Sequence, residues 1–210
     1  MSIPDSSATG RGAAASGRPV RADARRNRDR ILSIARTAFA STAETVPLDA
    51  IAREAGVGIG TLYRHFPTRE ALVEAVYAAE LDDVVSSAPA LLTELAPEAA
   101  LRAWMDRYAE FFRIKRGMSA TLRAGWASGA IATPATRERI TEALAVILDG
   151  GARAGSLRAD VEPEDVTMML LGVFLSTTAS DAPQSIDRLL DLIVDALRPA
   201  TSRSGASADV

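Results

Sequence analysis

Residues 55–66 read AGVGIGTLYRHF, with glycines at Gly56, Gly58 and Gly60. Alternate glycines suit either a loop that cradles phosphate or an elbow between two short helices, and the fold follows from which it is. A dinucleotide-binding loop needs a preceding strand and the spacing GxGxxG. Here LDAIAREA (48–55) precedes with helical period, and that spacing is not met. A Walker-type loop needs Gly-Lys-Ser/Thr, and the stretch holds no lysine. The elbow makes demands that these residues meet. Ala52 is small enough for two helices to cross closely, Gly56 tolerates positive φ, and Ile51, Ala55, Val57 and Leu62 supply a miniature apolar core. Thr61, Tyr63, Arg64 and His65 then face outward on the second helix. Gly58, Ile59 and Gly60 leave its start free to approach a major-groove wall, with N-terminal amides available to phosphate.

Working outward, every segment with a clear apolar period is helical, and no alternating β-branched run supports a strand. Ile31, Ile34, Ala35, Ala38 and Phe39 form one stripe of a helix expected from Asn27. A second helix is expected from near Pro47 to Ala55, with Asp49 at its positive end, and a third over 58–65, blocked by Pro67. Thr68 reads as the N-cap of a longer fourth helix carrying Leu72 and Val76. Beyond Pro97 comes a fifth, then a short helix over 118–126. Another opens on Thr133-Pro134 and ends in DGGARAG (149–155). Pro163, Glu164 and Asp165 start an eighth, apolar almost all round, and the last follows Pro183. The expectation is an all-α protein of about nine helices. A tail occupies residues 1–22, a helix-turn-helix head 23–68, a helical body 69–198 and a second tail 199–210, both tails reading as disordered.

Composition bounds the chemistry. The 210 residues are 48% apolar and 24% charged, with no cysteine and one histidine, which removes disulfides, thiolate chemistry and any multi-His metal site. The longest apolar run, 168–175, is far short of the roughly 20 residues that span a bilayer, and no secretory h-region opens the chain. A cytoplasmic protein without metal, cofactor or membrane partner is expected. The net charge of −3 hides an asymmetry: between Arg11 and Glu70 eleven Lys/Arg stand against six Asp/Glu, while the rest of the chain carries 13 against 21. A polyanion meets that local basic face and not the average. For catalysis, His65 lacks a GxSxG elbow or triad context, and the adjacent Asp82-Asp83 point about 100° apart on a helix; no enzyme is expected.

LDAIAREAGVGIGTLYRHFPTREALVEAVY (48–77) resembles the DNA-binding domain of TetR/AcrR-type transcriptional regulators, whose signature is a helix-turn-helix ending in T-L-Y-x-H-F before a capped helix with a basic residue. The likeness is dense over about residues 25–77. It implies that Thr61 and Tyr63 touch bases and backbone, Tyr63 through its ring against a thymine methyl, and that His65 and Arg69 contact phosphate. The family more often has lysine at the Arg69 position, and either charge holds a phosphate. Gly58, Ile59 and Gly60 match the variable start of the recognition helix; with few side-chain donors there, specificity leans on Thr61, Arg64 and DNA shape. Arg28, in a basic run with Arg25, Arg26 and Arg30, reads either as a minor-groove or phosphate contact or as a solvated arm.

In the second half, WMDRYAEFFRIKRGM (104–118) is similar to one actinobacterial-type subgroup of such regulators. The resemblance implies a homodimer whose last two helices form a four-helix bundle with the partner's. The apolar residues on offer are Val166, Leu170, Val173 and Phe174, then Ile186, Leu189, Leu190, Ile193, Val194 and Leu197. It also implies an effector cavity, for which Trp104, Met105, Tyr108, Phe111, Phe112, Met118, Trp126 and Met168 are candidates, with Thr121 or Arg123 as a polar handle. Five of the ten aromatic residues lie between Trp104 and Trp126, and ordinary core packing is the competing account of them. The expected function is a homodimeric repressor released from a pseudo-palindromic operator of double-stranded DNA by a small apolar or aromatic effector. The alternative is a helical ligand-binding or scaffolding protein without operator binding.

Overall fold

Apolar stripes at helical spacing fold onto one another as nine helices in a computed structural model that describes residues 17–41, 46–129, 135–177 and 183–199. No strand occurs among the described residues. In chain order the helices are α1 (Gly17–Ser41), α2 (Leu48–Glu54), α3 (Ile59–His65), α4 (Arg69–Glu94), α5 (Pro97–Gly117), α6 (Ser119–Ser128), α7 (Thr136–Ala154), α8 (Pro163–Ser176) and α9 (Pro183–Leu197). The first three make the head. Ile31, Ala35 and Phe39 of α1 close on Ile51, Ala52 and Ala55 and on Leu62 and Phe66, all at most 2% exposed.

The body is built around α4 and α5, which pack on each other and on α7; α6 leans on α4, and α8 lies between α7 and α9. Head and body share α1, which packs on both α4 and α5. Two polar ties reinforce that seam: Arg36 Nε lies 2.9 Å from Glu80 Oε1, and Arg113 donates to the carbonyl of Ala40.

One boundary differs from the sequence expectation, for a physical reason. α1 begins at Gly17, ten residues before Asn27, and takes in part of the segment read as a tail. Residues 22–26 are exposed on every side, so they show no apolar period, while Arg25–Asp29 and Arg26–Asp23 pairs one turn apart bridge that surface. Pro19 is tolerated because first-turn amides have no intrahelical acceptor to lose. At the other end of the body, α7 ends within DGGARAG, at its last glycine and not at its first two. Gly151 is a contact point instead, since a Cβ there would stand 2.4 Å from Leu157 Cδ1. The helix stops at Gly155, φ +70°, where the amides of Ser156 and Leu157 return to the carbonyl of Gly151. Finally, α4 runs through Pro89 to Glu94. The Thr133-Pro134 start and residues 1–16 and 200–210 lie outside the described residues.

Candidate nucleic-acid interface and the pocket behind it

The recognition unit is assembled by its turn. Gly56 adopts φ +65°, a conformation costly for any residue with a Cβ, and lets the amide of Val57 reach the carbonyl of Ala52 at 3.0 Å. Arg30 of α1 clamps the elbow, its Nη1 donating to the carbonyl of Ala55 at 3.4 Å. α3 then starts from Gly58, whose carbonyl accepts from Thr61 and Leu62. Leu62 is fully buried against the head core, so its neighbours in sequence are turned outward: Tyr63 is 47% exposed, Ile59 42%, and Arg64 is exposed beside them. Thr61 and His65 are half-buried. Gly58 and Gly60 are exposed, and a Cβ on either would meet nothing within 4 Å. Thr68 caps α4 by accepting from the amide of Ala71 at 3.1 Å.

Two basic residues expected at DNA also make contacts within the chain. The Arg28 guanidinium lies 5.3 Å from the centroid of the Phe66 ring, bracing the end of α3. Arg69 is turned inward: Nη1 donates to the carbonyl of Val46 at 2.6 Å, Nε to Thr121 Oγ1 at 3.4 Å, and the guanidinium lies 5.8 Å from the Phe39 ring. With two of its nitrogens engaged inside the chain, Arg69 joins the segment before α2, the first turn of α4 and α6. Thr121, read in sequence as a polar handle for ligand, is Arg69's acceptor on α6.

The aromatic residues of the body divide into two groups. Trp104, Met105, Tyr108, Phe111 and Met118 are at most 2% exposed and form packed core; Trp104 Nε1 donates to the carbonyl of Val84 at 3.1 Å, and Tyr108 stacks on Phe111. Burial pushes the Tyr108 hydroxyl well above the usual phenol range, so it stays neutral. Phe112 and Trp126 instead line an open cavity of about 520 Å³ between α5, α6 and the end of α8, with Arg123 at its edge. Met168 is not there; it is 48% exposed on the outer face of α8. Sequence reasoning missed Lys115, which lines the cavity in the last turn of α5. Its one available signal was that it is the chain's single lysine.

The expected dimer residues also divide. Val166, Leu170, Phe174, Leu190, Ile193, Val194 and Leu197 are at most 6% exposed and belong to the core of a single chain. Val173, Ile186 and Leu189 are half-buried. The free apolar surface consists of Met168, Met169 (45%) and Leu175 (73%) on α8 and Leu192 (62%) on α9. The helical periods that build α8 and α9 mark a buried face, and one buried face looks the same in sequence whether a helix or a second chain covers it. Among the described residues no helix is long and apolar enough to cross a membrane, and no cluster of three or more His, Cys, Asp or Glu residues stands ready to hold a metal.

A glycine-pivoted helix pair with a polar, exposed second helix, mounted on a larger helical body, defines a helix-turn-helix DNA-binding protein. Comparison with known proteins narrows the class. Residues 31–76 match the family model for bacterial regulatory proteins of the tetR family, and residues 96–199 match the SbtR-like transcriptional regulator C-terminal domain. A TetR transcriptional regulator from Streptomyces coelicolor is 45% identical, with TM-score 0.76, over 82% of this chain and 98% of that one. A TetR regulatory protein from Mycobacterium vanbaalenii is 34% identical, with TM-score 0.68, over 86% of this chain and all of that one. HTH-type transcriptional regulators of Staphylococcus aureus are 42% identical over 64 residues, 30% of this chain and only 35% of their own length. The chain belongs to the TetR family of transcriptional regulators, whose members are not enzymes.

Proposed function

We propose that this regulator acts as a homodimeric repressor, sits on a pseudo-palindromic operator, and leaves it when a small apolar or aromatic effector fills the cavity between α5, α6 and α8. The observation that carries the reading is the contrast across α3: Leu62 is sealed in the head while Tyr63 is 47% exposed beside Arg64. A helix held this way offers a ring, a guanidinium and hydroxyls to base edges without giving up its own core. The dimer reading is supported by the apolar stripe of Met168, Leu175 and Leu192. Gly172, between the first two, has open space where a Cβ would be, which admits a closely packed partner helix. A two-fold pair sets the recognition helices about one DNA turn apart, roughly 34–36 Å, or somewhat more.

Release follows from differential binding. An effector that prefers the DNA-incompetent spacing about 100-fold couples to operator binding by about 2.7 kcal/mol and weakens it by the same factor at saturation. Selection of bound duplexes from a random pool tests the core of the proposal: an inverted repeat is the expected product. Recovery of no preferred duplex, with log K flat against log salt, would leave a helical scaffold or ligand-binding protein as the better reading.

A further inference from the structure

The cavity wall has an unusual charge pattern. Lys115, Arg116 and Arg123 all line it, and among the described residues no carboxylate does, in a chain whose net charge is −3. Elsewhere arginines meet acids: Arg102 reaches Asp106, Asp187 and Asp191, and Arg139 reaches Asp82. Arg116 is held by the end of α8, its Nη2 donating to the carbonyls of Phe174 at 3.0 Å and Thr177 at 2.8 Å. Lys115 is different. Its Nζ lies 5.5 Å from the Phe112 ring centroid and 5.8 Å from those of Tyr77 and Trp126. Among the described residues it makes no hydrogen bond or ion pair, and burial lowers its pKa from the ordinary lysine value. Trp126 Nε1, in the same wall, is a buried donor with no acceptor among the described residues.

Trp126 Nε1 is already shut off from water without an acceptor, and a ligand that excludes water would leave Lys115, a cation, in the same costly state. A neutral hydrocarbon would complete that exclusion and satisfy neither; a cationic ligand would be repelled by all three basic residues. We propose that the cavity takes an apolar monocarboxylate. Its headgroup lies between Lys115 Nζ and Trp126 Nε1, and its hydrophobic body lies on Phe112, Leu122 and Phe174. Two oxygens match two donors; a phosphate would bring a further oxygen and a second charge to a wall that is mostly apolar. This assignment rests on the effector reading above and names the chemistry of that effector.

The test is isothermal titration of the full chain with decanoate and naphthoate, each beside its methyl ester, repeated on Lys115→Met and Trp126→Phe. The acids are expected to bind the wild type at least about 10-fold tighter than the esters, and Lys115→Met to weaken the acids about 10- to 100-fold while ester binding and the melting temperature hold. Trp126→Phe, which keeps the ring and removes the donor, weakens the acids by a smaller factor. Equal binding of acid and ester, or equal losses for both in Lys115→Met, overturns the carboxylate assignment, as does failure of either acid to bind. The effector reading is judged apart: esters that bind, lose affinity in Phe112→Ala and release the selected duplex preserve it, whereas no binding by acid or ester removes both.

Discussion

Gly60 is helical, exposed and without a neighbour at the place a Cβ would occupy, so the chain's own packing gives it no role. Helix propensity makes Gly60→Ala stabilising by about 0.5–1 kcal/mol. If α3 presses its first turn against a groove wall, the same methyl stands between protein and DNA. The expected outcome is a variant with a slightly higher melting temperature and weaker duplex binding, and improved stability with unchanged binding would count against close approach at this residue. Glu80 shows the opposite logic, a charge retained inside. Its burial raises the carboxyl pKa above 4.5, Arg36 opposes the shift, and Asp83 and Glu110 add to it. The folded state therefore holds the Glu80 proton more tightly than the unfolded chain does. The contribution is fully present below pH 4.5 and is lost as pH rises through the elevated value. Glu80→Gln removes this loss, so its melting temperature should decline less steeply than the wild type's between pH 4.5 and neutrality; parallel curves would show that Arg36 already cancels the effect.

At the scale of elements, Arg69 is one of the side chains that tie the head to the body. An effector seated beside α6 would press on the helix whose Thr121 accepts from Arg69 Nε, while Nη1 of the same guanidinium donates to the carbonyl of Val46 before α2. Arg69→Met keeps much of the stem against Phe39 but removes both hydrogen bonds. It should reduce the factor by which a saturating effector weakens DNA binding more than it reduces DNA binding itself. Loss of duplex affinity with a steeper reduction in salt slope, and intact coupling, would instead return Arg69 to a phosphate role. This is also where the sequence stops being legible. Helices with one buried face announce themselves, as the Thr68-capped α4 and the Ile193/Leu197 face of α9 do, and the elbow at Gly56 follows from local sterics. The start of α1 was hidden because residues 22–26 are exposed and show no apolar period, and the passage of α7 through its first glycines because Gly151 serves contact with Leu157 and not termination. The outward set on α3 could be read because Leu62 fixes which side is in. Lys115 could not, since the rings of Tyr77 on α4 and Trp126 on α6 come to it only when the helices pack.

For the whole molecule, the question is what covers Met168, Leu175 and Leu192. Their helices are already anchored: Leu170, Phe174, Leu190 and Leu197 fill the protomer core, so a polar change on the outer stripe leaves the fold's interior untouched. Met168→Glu with Leu192→Glu places two carboxylates on the exposed surface, where each alone costs the monomer little. In a two-fold pair the same changes bring like charges together in a desolvated seam, where unpaired buried charge is strongly destabilising. Sedimentation should therefore show a dimer for the wild type and a monomer for the double variant, with little change in helical content. Operator affinity should fall steeply as well, because a monomer engages one half-site and forfeits the gain from linking two. The order of these effects is diagnostic: a variant that remains dimeric places the interface elsewhere on the body, and a monomer that still binds the full inverted repeat as tightly as the wild type shows that two-fold symmetry is not what positions α3 on DNA.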